Sequence, residues 1–215
     1  AEKLRKVADD LENRAEEHAK VMAIEMGKPV TDGEGEAKKC AWCCRYYADN
    51  AEKFLQPKPH ESDGSEAYVQ YDPLGPIFAI MPWNFPYWQL FRHAAPAVMA
   101  GNVVLLKHTH RTPQCAHALK DLFQRAGFPP AVFQSLLISS DQAANVMSDD
   151  RVRGVTLTGS TRAGRKIAGT SGQALKKTVL ELGGSDPFIV LADAEVDEAA
   201  KTAAALISQL PGCAV

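Results

Sequence analysis

A chain of 215 residues, 46% apolar and 23% charged, has enough material for one sizeable core and an appendage. A net charge of −2 and a pI of about 6.3 leave no electrostatic footprint for nucleic acid or an anionic membrane surface. No apolar run approaches the roughly 18 residues of a membrane span, and the opening AEKLRKVADD lacks the apolar core of a signal peptide. The expectation is a cytoplasmic protein.

Leu4, Val7, Ala8, Leu11, Ala15, Ala19 and Met22 recur at spacings of three and four and predict an amphipathic helix over 1–26, ended by EMGKP. It is in helical register from its first residue, which raises the expectation of chain ahead of Ala1. A second helix is predicted from about Asp32 to Phe54. Within it CAWCC, residues 40–44, has metal-like spacing but no second Cys or His cluster to complete a zinc site, so it reads as helix packing. The five cysteines, Cys40, Cys43, Cys44, Cys115 and Cys213, are an odd number and read as reduced thiols. QPKPHESDG, residues 56–64, is a polar connection, and AYVQYDPLG alternates like an exposed strand.

From Pro76 onward short β-branched runs alternate with helical stretches. The predicted strands are PIFAIMP, NVVLLKH, AVFQSLLI, RGVTLTG, KTVLEL and PFIVL; the helices fall near 87–100, 112–126, 140–148, 162–171 and 195–209. This alternation predicts an α/β fold with a Rossmann-like, doubly wound, mostly parallel sheet. In such sheets ligands bind beyond the C-terminal strand ends. MPWNFP, KHTHRTP, TGSTRAG and ELGG all fall there.

Each segment admits a plain reading and a functional one. Asn84, in the apolar stretch MPWNFPYW, is either a turn residue between prolines or a lone amide placed for chemistry. Gly159, Ser160, Thr161 and Gly164 stand between a strand and a helix start, where backbone N–H groups favour a phosphate or where the helix is simply capped. The segment is neither GxGxxG nor a Walker loop, since Arg165 stands in the lysine's place. Lys107 closes a strand, as a solvated end or as a cation aimed at the rim. Glu181, between Leu180 and Leu182, is a carboxylate at an apolar strand end, a setting that suits a general base.

Together MPWNFP, LLKHTHRTP, TLTGSTRAG and LELGGSDPFIV resemble, in order and spacing, the aldehyde dehydrogenase superfamily, and the wording most resembles its bacterial succinate-semialdehyde dehydrogenase branch. The resemblance implies NAD or NADP as cofactor, a small-molecule aldehyde as substrate, and a homo-oligomer in the full-length member. It implies neither nucleic acid nor membrane as partner, and no metal. By resemblance Asn84 donates to the oxyanion of the tetrahedral intermediate, worth about 10²–10³ in rate, and Glu181 activates the hydrolytic water or accepts the thiol proton. Lys107 matches a lysine touching the adenosine ribose. Trp83, Gly159, Ser160 and Gly164 match adenosine-side and pyrophosphate contacts. His110 stands where NAD-preferring members carry a Glu, so a 2′-phosphate is not repelled. Arg92 matches the arginine that grips a distal carboxylate, the alternative being a surface arginine on an amphipathic helix. His93, its neighbour, has no assigned role.

The resemblance breaks at the nucleophile. Counting from Glu181 at the family's spacing ends on Val215; ALISQLPGCAV keeps Gly212 but lacks the Asn and Gln of NxGQxC, and Cys213 is two positions early. The expected organisation is N-terminal helices over 1–58, an exposed strand or hairpin of oligomerisation type over 59–75 and a nucleotide-binding domain over 76–215, with the catalytic domain absent. The chain is expected to be the truncated, cofactor-binding part of the enzyme, or else a catalytically silent remnant.

Overall fold

Residues 1–185 and 187–209 are described by a computed structural model, in which the first quarter of the chain is helical. Leu4, Val7, Ala8 and Leu11 form the buried stripe of α1 (Glu2–Asn13), and Ala15, His18, Ala19 and Met22 that of α2 (Ala15–Met26). The stripe runs on without interruption in sequence, which is why one helix is predicted. The structure breaks it at Arg14, whose φ of −117° and ψ of 27° leave the helical region. With that break both halves lie against α3 (Val30–Leu55). Gly27, left-handed at φ 76°, ends α2, and α3 opens after Pro29, two residues ahead of its predicted start. Cys40, Cys43 and Cys44 are free thiols inside the helical packing, and burial pushes the pKa of each upward.

The strand read over 67–75 shrinks to β2 (Tyr68–Val69), paired antiparallel with β1 (Lys58–Pro59). Tyr68, Val69, Tyr71 and Leu74 are all exposed, so no buried face extends the pairing.

Then comes the alternating region: β3 (Pro76–Met81), α4 (Trp88–Met99), β4 (Val103–His108), α5 (Pro113–Arg125), β5 (Phe133–Ser135), α6 (Ser140–Ser148), β6 (Gly154–Gly159), α7 (Thr161–Gln173) and β7 (Lys177–Leu182). The five strands are parallel throughout, in the order β5-β4-β3-β6-β7. Alternate residues serve alternate faces. Ala79, Met81, Val104 and Leu106 face a core built with α1 to α5, while Phe78, Val155 and Leu157 face a second core built with α6 and α7. The chain builds outward from β3 to β4 and β5, then returns to place β6 on the other side of β3. The crevice beyond the ends of β3 and β6 is therefore the topological switch point.

The predicted strand over 187–191 does not form among the described residues. Phe188, Val190 and Leu191 are exposed and Ile189 is 75% exposed, so an apolar run without a neighbouring strand has no ladder to join. The last helix, α8 (Val196–Gln209), falls where the pattern puts it. Among the described residues no helix is long and apolar enough to cross a membrane.

Candidate functional site

The turn that leaves β3 carries Trp83 and Asn84. Asn84 is partly buried, and its Oδ1 accepts from the N–H of Phe85 at 3.1 Å. Beyond it four buried polar side chains grip the next four residues. His108, at the end of β4, donates from Nε2 to the Pro86 carbonyl at 2.9 Å. Its Nδ1 accepts from the Thr109 N–H at 3.0 Å and the Thr112 hydroxyl at 2.9 Å. Burial holds its pKa below the ordinary histidine value, which fits this neutral pattern. His18 of α2 accepts at Nδ1 from the Tyr87 hydroxyl at 3.1 Å and donates from Nε2 to Asp10 at 3.2 Å. Glu36 of α3 takes the N–H groups of Tyr87 and Trp88 at 2.8 and 2.9 Å, and its other oxygen pairs with Lys28. The Lys28 ammonium stands 3.8 Å from the Phe85 ring centroid.

Sequence reasoning missed all four. One signal was available for Glu36: it falls on the buried stripe of α3, beside Ala37 and one turn from Gly33 and Cys40. His108 likewise sits at a buried position of an alternating strand.

Two clefts open on opposite faces of the sheet. The first, of about 170 Å³, is walled by Gln89, Arg92 and His93 of α4 with Thr156, Thr158, Val179 and Glu181. Here Arg92 meets Glu181, Nη2 to Oε2, at 2.5 Å. The Glu181 side chain is 55% exposed, not enclosed by its leucine neighbours as its sequence setting suggested, because β7 is the edge strand among the described residues and its flanking leucines point to the other face. The Nε2 of His93 and the Oε1 of Gln89 are buried with no hydrogen-bond partner among the described residues.

The second cleft, of about 150 Å³, lies between α6 and α7. Ala143, Ala144, Met147, Ala163 and Ile167 give it apolar walls, and Lys107 and Lys166 line it as well. Burial lowers the Lys107 pKa from its ordinary value. Ser160 caps α7 by accepting from the Ala163 N–H at 3.3 Å, so the positive end of that helix faces the rim. Gly159 ends β6. Gly164 is buried under Leu182, where an added Cβ would stand 2.5 Å from Leu182 Cδ2, so its smallness serves helix-to-strand packing. His110 is exposed on the turn after β4. The neighbouring Arg111 lies over the Trp83 ring at 5.6 Å. The structure thus brings Arg92 to Glu181 on one face and Lys107 to the start of α7 on the other. Cys213, Gly212 and Val215 lie outside the described residues.

Residues 1–212 match the aldehyde dehydrogenase family. The chain belongs to that family. It is 54% identical over 200 residues to a probable succinate-semialdehyde dehydrogenase [NADP(+)] of Synechocystis, spanning 93% of this chain and 44% of that one. Among solved structures, succinic semialdehyde dehydrogenase of Streptococcus pyogenes with NADP+ superposes at a TM-score of 0.89 with 43% identity, covering 93% of this chain and 44% of the other. An NAD-dependent aldehyde dehydrogenase of Sinorhizobium meliloti does so at 0.87 with 35% identity, covering 93% and 40%. The chain therefore spans a little under half the length of the family members it matches.

Proposed function

We propose that this chain carries the cofactor-binding part of an NAD(P)-dependent aldehyde dehydrogenase acting on an aldehyde with a distal carboxylate, of the succinic semialdehyde class. The observation that carries the reading is the Arg92–Glu181 pair, a guanidinium fork and a carboxylate in one cleft, with an apolar cleft lined by Lys107 and Lys166 on the other face of the sheet. The NADP-linked relatives support both cofactor and substrate class.

The α6–α7 cleft suits a dinucleotide. Its small apolar side chains admit an adenine ring, Lys107 and Lys166 supply positive charge for ribose and phosphate oxygens, and Gly159 and Ser160 lead into α7, one wall of the cleft. The exposed imidazole of His110 puts no carboxylate against a 2′-phosphate. When bound, the nicotinamide cofactor supplies the two-electron acceptor.

The chain's own residues do the rest of the work assigned to it. Asn84 donates from its amide to the oxygen that becomes negative when a thiolate adds to the aldehyde, a donor whose loss costs about 10²–10³ in rate. Glu181 takes a proton from the water that hydrolyses the acyl group, and its exposure lets it reach that water. A substrate carboxylate competes with Glu181 for Arg92, so substrate entry and release of the base are coupled. The attacking thiol belongs to the family's cysteine segment, whose place, counted from Glu181 at the family's spacing, falls on Val215. Residues 59–75 are assigned to subunit association in the longer protein.

Calorimetric titration of the 215-residue chain tests the cofactor half: NADP+ and NAD+ are both expected to bind, and failure of both at millimolar concentration in a folded sample defeats the reading. In the protein extended to the length of its relatives, Arg92→Ala is expected to raise KM for a carboxylate-bearing aldehyde about 10- to 100-fold. An alkyl aldehyde should be nearly unaffected.

A further inference from the structure

We infer that Lys28 and Glu36 are positioning residues for Asn84: a buried ion pair, anchored in α3, that holds the turn on which the amide rides. The inference rests on the reading above that Asn84 supplies the oxyanion donor.

Lys28 and Glu36 are each only 5% exposed. Taking two charges out of water is expensive, and apolar residues of similar size often serve stability as well or better. Stability alone therefore does not account for the pair; its remaining contacts do. The Glu36 oxygen that does not meet Lys28 accepts from the N–H groups of Tyr87 and Trp88, at the start of α4. A helix leaves its first N–H groups without internal partners, and Tyr87, at the cap position, offers no side-chain acceptor of its own. Glu36 is the cap, delivered from another helix. Lys28 completes the grip by neutralising that carboxylate and covering the Phe85 ring.

Both contacts fall on residues next to or near Asn84 in the chain, and the His108 bond to the Pro86 carbonyl fills the gap between them. Each residue from 85 to 88 is thus held, Phe85 by its ring, Pro86 by its carbonyl, and Tyr87 and Trp88 by their N–H groups. The amide is aimed from outside its own element. An oxyanion donor misplaced by about 1 Å loses up to ~10²-fold in rate, so this anchorage sets the turnover rate without touching substrate or cofactor.

The test uses the protein extended to the length of its relatives, with succinic semialdehyde and NADP+, and two charge-free pairs. Lys28→Met with Glu36→Leu removes the acceptor and leaves no unpaired charge. Lys28→Met with Glu36→Gln keeps an oxygen for the two N–H groups. The leucine pair is expected to lower kcat about 10- to 100-fold, with KM and the NADP+ Kd within about twofold, and the glutamine pair to recover most of that loss. In an Asn84→Ala background the leucine pair should cost nothing further, because a residue acting through Asn84 has nothing left to position. An unchanged kcat in the leucine pair, or its full loss added to that of Asn84→Ala, overturns the inference while leaving the oxyanion reading intact. If Asn84→Ala itself leaves kcat unchanged, the oxyanion reading fails and this inference with it. Should the leucine pair not fold, Lys28→Met alone decides: it leaves the Glu36 charge unbalanced against the turn, and an unchanged kcat overturns the role of the pair.

Discussion

His93 is a histidine held neutral by its surroundings. Burial pushes its pKa down to about 4, and Arg92 and Glu181 line the same cleft. Between the ordinary value near 6.5 and about 4, the unfolded chain binds a proton that the folded chain refuses. Stability therefore falls as pH drops through that window and levels off below it, by at most about 3 kcal/mol from this one residue. His18 and His108, also lowered by burial, add to the same slope. Urea unfolding of wild type and His93→Gln at pH 7 and pH 5 checks it; the variant is expected to show the smaller loss on acidification. An equal loss in both would remove His93 from the account.

At the scale of elements, the α2–α3 crossing is set by one missing side chain. A Cβ at Gly33 would stand 2.8 Å from the Ala19 Cβ and 2.9 Å from its Cα, and backbone on a packed helix has little room to retreat. Gly33→Ala is expected to destabilise the chain by about 1–3 kcal/mol. Two residues on, a Cβ at Gly35 meets nothing within 4 Å. Gly35→Ala should therefore stabilise by up to about 1 kcal/mol through helix propensity alone. Urea midpoints of the two variants, moving in opposite directions, report the crossing; a shared direction would show that α2 and α3 do not approach this closely. The same closeness is what lets Glu36, one turn along α3, reach the start of α4.

For the molecule as a whole, the sheet is unevenly covered. Helices cover both faces at β3 and β4, whereas β7 has an open outer edge among the described residues, with Val179 58% exposed. Leu182 and the run from Phe188 to Leu191 add exposed apolar surface nearby in the chain. An open edge with apolar side chains is a template for pairing. The 215-residue chain alone is thus expected to self-associate with rising concentration in sedimentation velocity. Val179→Lys, which puts a charge beside that edge, should reduce the association; no effect would place the contact elsewhere.

What the sequence determined by itself was everything carried by short-range order. The strand-helix alternation after Pro76, the parallel sheet and the collection of MPWNFP, KHTHRTP, TGSTRAG and ELGG at strand ends follow from periodicity and turn chemistry, which are local. The family follows from the same ordered segments. The break at Arg14 and the absence of a strand over 187–191 were not legible, because each depends on what lies alongside: α3 for the two short helices, and a neighbouring strand that 187–191 does not have among the described residues. The meeting of Arg92 with Glu181 was hidden for a related reason, since the two lie on different elements and become neighbours only when β7 is laid beside β6. The anchoring of the Asn84 turn by Lys28, Glu36, His18 and His108 was the least visible. These residues stand far from Asn84 in sequence, or in a different segment, and only the packing of α2, α3 and β4 around the turn into α4 turns four scattered polar side chains into one support.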